Sequence, residues 1–147
     1  MSVRLTGPPE RESLPALDTA ALAERAGKLL RELGHAESEL SVALVGDASM
    51  AEMNSQYRGR PGPTDVLSFS LLEGDHAEQR GGLLGDVVID LEQAERQARE
   101  RGHGLDEEAA RLLIHGTLHL LGYDHEQDDE AREMEAMERR LWLLIGP

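Results

Sequence analysis

The stretch Asp86-Val-Val-Ile-Asp-Leu-Glu-Gln-Ala-Glu-Arg-Gln-Ala-Arg-Glu-Arg101 changes character at Leu91. Asp86 to Leu91 reads as a strand, with β-branched Val87, Val88 and Ile89 together, and Leu91 to about Arg101 reads as a helix. The same alternation recurs on both sides. Upstream, Val3 to Leu5 makes a short strand before Gly7, Pro8 and Pro9 break it. Asp18 is a suitable N-cap for a helix to about Leu33, with Leu22, Ala26, Leu29 and Leu33 at helical spacing and Gly34 ending it. Leu40 to Val45 is a strand, and Asp47 caps a short helix to about Tyr57. Arg58 to Thr64 contains Pro61, Gly62 and Pro63, so an exposed, stiff loop is expected there. Asp65 to Ser70 is a strand, while Asp106 to Leu121 and Asp128 to about Leu144 look helical. Strands interleaved with helices predict an α/β fold. It is read as a single domain, a small mixed β-sheet of about four strands covered by helices, without an unbroken βαβ series.

A chain of 147 residues suits one domain, and at that length folding buries roughly 70% of the surface of the unfolded chain. Aromatic content is 3%, so the core must be built from Leu, Val, Ile and Ala. The absence of cysteine excludes disulfides, thiolate nucleophiles and Cys-type zinc fingers. The N-terminal stretch has no apolar run of signal-peptide length, and nowhere do about 18 apolar residues run together, so a soluble cytoplasmic protein is expected. A net charge of −14 argues against diffuse attraction to a polyanion. Met53 to Leu72 nevertheless carries Arg58 and Arg60 against Asp65 alone, and local positive potential can survive there.

Chemistry is concentrated in His115-Gly-Thr-Leu-His119-Leu-Leu-Gly122-Tyr-Asp-His125, which holds three of the six histidines. Residues four apart lie on one helix face about 5–6 Å apart, so His115 and His119 can address one ion. Gly122 can reverse the chain in the left-handed conformation and return His125 to the same point. Three neutral imidazoles leave one tetrahedral position open, the arrangement of a catalytic zinc site at the end of a core helix. The spacing is that of one group of metalloproteases, but the glutamate those enzymes use as base is replaced by Gly116. A peptidase must also protonate the leaving amine, whereas a phosphodiester needs less help of that kind. With RNA, the metal would either activate water or polarise a phosphoryl oxygen while the ribose hydroxyl attacks. His35, His76 and His103 read as solvated histidines.

Beyond the histidines, Asn54-Ser-Gln-Tyr57-Arg58, Pro63-Thr-Asp-Val-Leu-Ser-Phe69, Gly85-Asp86-Val-Val-Ile89 and Met134-Glu-Ala-Met-Glu138 follow in order. With the histidine motif, these stretches resemble the YbeY family of bacterial endoribonucleases and ribosomal-RNA maturation factors, over about Met53 to Glu138. The resemblance implies one metal-dependent hydrolase domain over residues 1–147, with His115, His119 and His125 holding one zinc, nickel or cobalt being alternatives. It implies that Arg58 is catalytic, an always-charged fork against a phosphate. Asp65 and Asp86 are expected in structural hydrogen bonds, and Asp124 either supports an imidazole or simply makes the turn. Ser70 stands where the family usually has proline, a change expected to alter the strand exit and leave the site untouched. The implied activity is single-strand-specific cleavage of RNA in three-prime end maturation of small-subunit ribosomal RNA and in ribosome quality control. The implied partners are that RNA and basic ribosomal proteins, with no membrane or DNA partner. A non-catalytic ribosome-assembly factor with a structural metal is the alternative, and a zinc metalloprotease is a third.

Overall fold

The computed structural model of the chain describes residues 2–7, 13–59, 62, 64–70, 83–123 and 127–146. Its elements are β1 (Ser2–Thr6), α1 (Thr19–Glu32), β2 (Glu39–Val45), α2 (Asp47–Arg58), β3 (Val66–Ser70), β4 (Leu83–Asp90), α3 (Leu91–Arg101), α4 (Leu105–Leu120) and α5 (Asp128–Ile145). The four strands form one sheet in the order β1-β2-β4-β3. β1, β2 and β4 run parallel, and β3 lies antiparallel to β4 at the edge. This is the mixed four-stranded α/β sheet expected from the alternation of segments.

β4 is central and buried on both faces, which is why it reads as a continuous apolar run. Val87 and Ile89 join the main core with Leu40, Val42 and Leu44 of β2 and residues of α1, α3, α4 and α5. Val88 faces the opposite side, where Met50 and Met53 of α2 pack with Val45, Leu67 and Phe69. Four helices therefore cover one face and α2 covers the other. α4 is the innermost helix, with ten of its sixteen residues buried, so its hydrophobicity is not confined to a stripe. None of Trp142, Phe69, Tyr57 and Tyr123 is fully buried, and the core is aliphatic as the composition required.

Several boundaries differ from the sequence reading. β4 starts at Leu83 because Leu83 and Gly85 pair with Glu39 and Leu40 of β2. It then runs directly into α3 because Asp90 is the N-cap, its Oδ1 accepting from the backbone of Glu92 and Gln93 at 3.0 and 3.1 Å. Asp47 does not cap α2; it is the first helical residue, Gly46 holds the cap position, and the Asp47 N–H donates to Glu92 Oε1. Arg58 ends α2 and does not open the loop. Of that loop, Arg60, Pro61 and Pro63 lie outside the described residues; Gly62 accepts a 2.8 Å hydrogen bond from Asn54 Nδ2, which ties it to α2.

Candidate metal centre

α4 delivers His115 and His119 on successive turns near its carboxyl end. Their rings stand edge to face at 74° with centroids 4.6 Å apart, and the two Nε2 atoms are 3.1 Å apart. The His115 side chain is partly exposed, and His119 is likewise only partly covered. The helix then stops in a Schellman arrangement: the Gly122 N–H bonds His119 O and the Tyr123 N–H bonds Leu118 O, with Gly122 at φ +96°. The expected reversal at Gly122 is present. His125 and Asp124, to which it leads, lie outside the described residues.

Glu138 on α5 reaches across to His115, its Oε1 lying 3.3 Å from Nδ1. This contact holds the Glu138 carboxyl below its ordinary value, against the opposing effect of burial. A neutral imidazole whose Nδ1–H is accepted by a carboxylate presents an unprotonated Nε2. Sequence reasoning gave Glu138 no role in the site, although it closes the Met134-to-Glu138 motif. The signal available was a carboxylate within a motif of the family the histidines resemble.

Gly116 proves to be a packing residue. A Cβ there would sit 2.8 Å from Val87 Cγ1, 3.0 Å from Val66 Cγ2 and 3.2 Å from Ser68 Oγ. The position that carries the base in the proteases points here into the sheet, where a glutamate has no room. The helix is also tied to edge strand β3 by two hydroxyls: Ser68 Oγ donates to Gly116 O at 2.8 Å and Ser70 Oγ to Leu120 O at 3.1 Å. Ser70 was expected to leave the site untouched, but its hydroxyl, which proline would lack, holds the carbonyl next to His119.

Asp65 has the structural role expected, accepting from the Val66 N–H and from Gln97 Nε2. Asp86 sits within β4 opposite Phe69. Arg58 lies at the end of α2, and its side chain is outside the described residues, as is the whole of His76. His103 is not the solvated residue expected: its Nε2 is 2.6 Å from Oε1 of fully buried Glu108, which Arg111 also holds. Burial works to raise the Glu108 pKa, and the hydrogen bonds from Arg111 and His103 more than offset it.

Among the described residues, one carboxylate group could also hold a cation: Asp47, Asp90 and Glu92, with ligand atoms within 4.8 Å of one another. It belongs to the opposite end of β4 from the histidines, and the protein's own donors occupy much of it. Glu92 accepts from the Asp47 N–H, Asp47 from Arg96 Nη2 at 2.8 Å, and Asp90 from the α3 backbone. Among the described residues no donor meets the buried Oδ2 of Asp90, and burial, reinforced by Asp47 alongside, pushes its pKa up to about 8.

A family model described as Endoribonuclease YbeY matches residues 10–145. The chain belongs to that family. A protein named Endoribonuclease YbeY from Geobacter sulfurreducens is 40% identical over 147 residues, covering 99% of this chain and 96% of its own. One of the same name from Pelotomaculum thermopropionicum is 47% identical over 128 residues, 84% and 83% of the two chains. The solution structure of TM1509 from Thermotoga maritima has the same fold, with a TM-score of 0.61 at 26% identity over 97% of this chain and 90% of that one. The YbeY match thus takes in α1 through α5, including residues 10–50, to which the quoted motifs added little. Endoribonuclease chemistry, hydrolysis of RNA, is the activity by which the YbeY family is named.

Proposed function

We propose that residues 1–147 form one metal-dependent hydrolase domain, a single-strand-specific endoribonuclease. Its role would be three-prime end maturation of small-subunit ribosomal RNA and ribosome quality control. The observation that carries the reading is the convergence of His115 and His119 Nε2 at 3.1 Å, with Glu138 behind the first ring. Two nitrogens bound to one tetrahedral zinc at about 2.0–2.1 Å would stand roughly 3.3 Å apart, so the pair fits such an ion with almost no rearrangement. His125, three residues past the Gly122 turn, is the third ligand in this reading; zinc is the expected ion, with nickel or cobalt also compatible with three imidazoles. Bound there, the metal supplies a Lewis acid for a phosphoryl oxygen or for water.

The chain's own groups do the rest. Glu138 fixes the tautomer and plane of His115. Gly122 closes the helix so that the chain turns back at the ligand cluster. Arg58 supplies a permanent charge for the scissile phosphate, which an acidic protein must provide locally. Basic ribosomal proteins are fitting partners for a surface of net charge −14. No helix among the described residues is long and apolar enough to cross a membrane, in keeping with work in the cytoplasm.

The test sets native protein, His115→Ala and Arg58→Ala against precursor small-subunit ribosomal RNA, with elemental analysis of each. Native protein should carry metal and cleave. His115→Ala should lose both, and Arg58→Ala should keep its metal and melting temperature while losing at least about a hundredfold in rate. Equal cleavage by all three would sink the nuclease reading.

A further inference from the structure

The groove between α4 and α5 holds a cavity of about 460 Å³ that adjoins the histidines. Glu138, which contacts His115, is part of its lining. Arg111 lies one turn before His115 on α4, and Trp142 one turn after Glu138 on α5, each displaced by about 6 Å along its helix. Ile114 is buried in the lining, Trp142 half-buried, and Leu143 86% exposed. His103 and Arg139 complete it, Arg139 exposed and paired with no carboxylate among the described residues. Around buried Glu108, whose single charge both engage, stand Arg111 at 2.9 Å and Arg101 at 3.5 Å. Among the lining residues Arg111 and Arg139 stand against Glu138 alone, an excess of one positive charge in a chain of net charge −14.

On the other side of the helix end lies a smaller cavity of about 230 Å³, lined by Leu121, Gly122, Tyr123, Glu130 and Glu133. Its carboxylates repel a phosphate. The two cavities give a strand leaving the histidines one favourable direction. A flat apolar wall with a ring and a flanking guanidinium is the combination that seats an unpaired base and its phosphate, since every base has a face to stack.

We propose that the α4–α5 groove is a nucleotide subsite, in which a base of the single-stranded RNA stacks on Trp142 and its phosphate meets Arg139 and Arg111. This rests on the nuclease reading above and adds the path of the substrate. Trp142 is the only tryptophan, so its emission reports this groove alone. Metal-loaded native protein is titrated with a dye-labelled 2′-O-methyl oligoadenylate, following dye anisotropy for binding and Trp142 emission for location. Arg139→Ala, a surface change that spares the core, is compared in cleavage of the corresponding oligoribonucleotide. Saturable quenching of Trp142, with KM about tenfold higher and kcat unchanged in Arg139→Ala, is the expected result. Anisotropy that reports binding while Trp142 emission and the Arg139→Ala KM stay unchanged overturns the subsite and leaves the nuclease reading intact. A change of emission with protein concentration alone would place a second copy in the groove and overturn it too. Native protein that neither binds nor cleaves the oligonucleotide and precursor ribosomal RNA removes the nuclease reading and the subsite with it.

Discussion

In the proposed metal site, an Nδ1–H directed from His115 at the Glu138 carboxylate 3.3 Å away would keep the lone pair of Nε2 for the ion. Glu138→Ala should weaken zinc binding about 10–100-fold in a chelator competition, and Glu138→Gln, which retains an acceptor, should recover part of the loss. Unchanged affinity in the alanine variant would mean the contact orients nothing. Asp90 is a different case, a buried acid beside Asp47. Its pKa rises from 3.8 to about 8 on folding, so the native state holds a proton that the unfolded chain gives up. The stability this group contributes is complete below its unfolded value and is lost as pH rises through the folded one. Replacing the acid by its amide keeps the cap acceptor and offers Asp47 an N–H that does not titrate. Asp90→Asn should therefore melt near the native temperature at about pH 4 and increasingly above it toward about pH 8.5. Identical pH profiles for the two proteins would refute the assignment.

Among the elements, α4 owes its place to a missing side chain. At an exposed helix position Gly→Ala gains up to about 1 kcal/mol from propensity. Gly116→Ala should instead lose about 1–2 kcal/mol, because overpacking against Val87, Val66 and Ser68 outweighs that gain, and thermal melting will show the sign. A rise in melting temperature would mean that α4 can back away from the sheet at little cost. β3 matters for the same reason: as an edge strand with one neighbour, it is held by its ladder to β4 and by the Ser68 and Ser70 bonds to α4. Those two bonds leave no trace in sequence periodicity, and no pattern in Asp65 to Ser70 announces their partners about fifty residues away.

For the molecule as a whole, local signals carried the fold. The β-branched run before Leu91, the Asp18 cap and the Gly34 and Gly122 stops each act within a few residues, and each was legible. The strand order was not, because pairing β2 with β4 depends on which apolar faces meet in space. In the site, the His115–His119 pair followed from helical period alone. Glu138, the Glu108 cluster and the packing role of Gly116 needed tertiary contacts, which local pattern does not encode. The two imidazoles also occupy the last turns of α4, where aligned peptide dipoles amount to roughly half a negative charge. On a chain of net charge −14 that terminus repels RNA unaided. A divalent ion there reverses the local sign, so metal occupancy should govern whether substrate can approach at all, before any question of how fast it is cut.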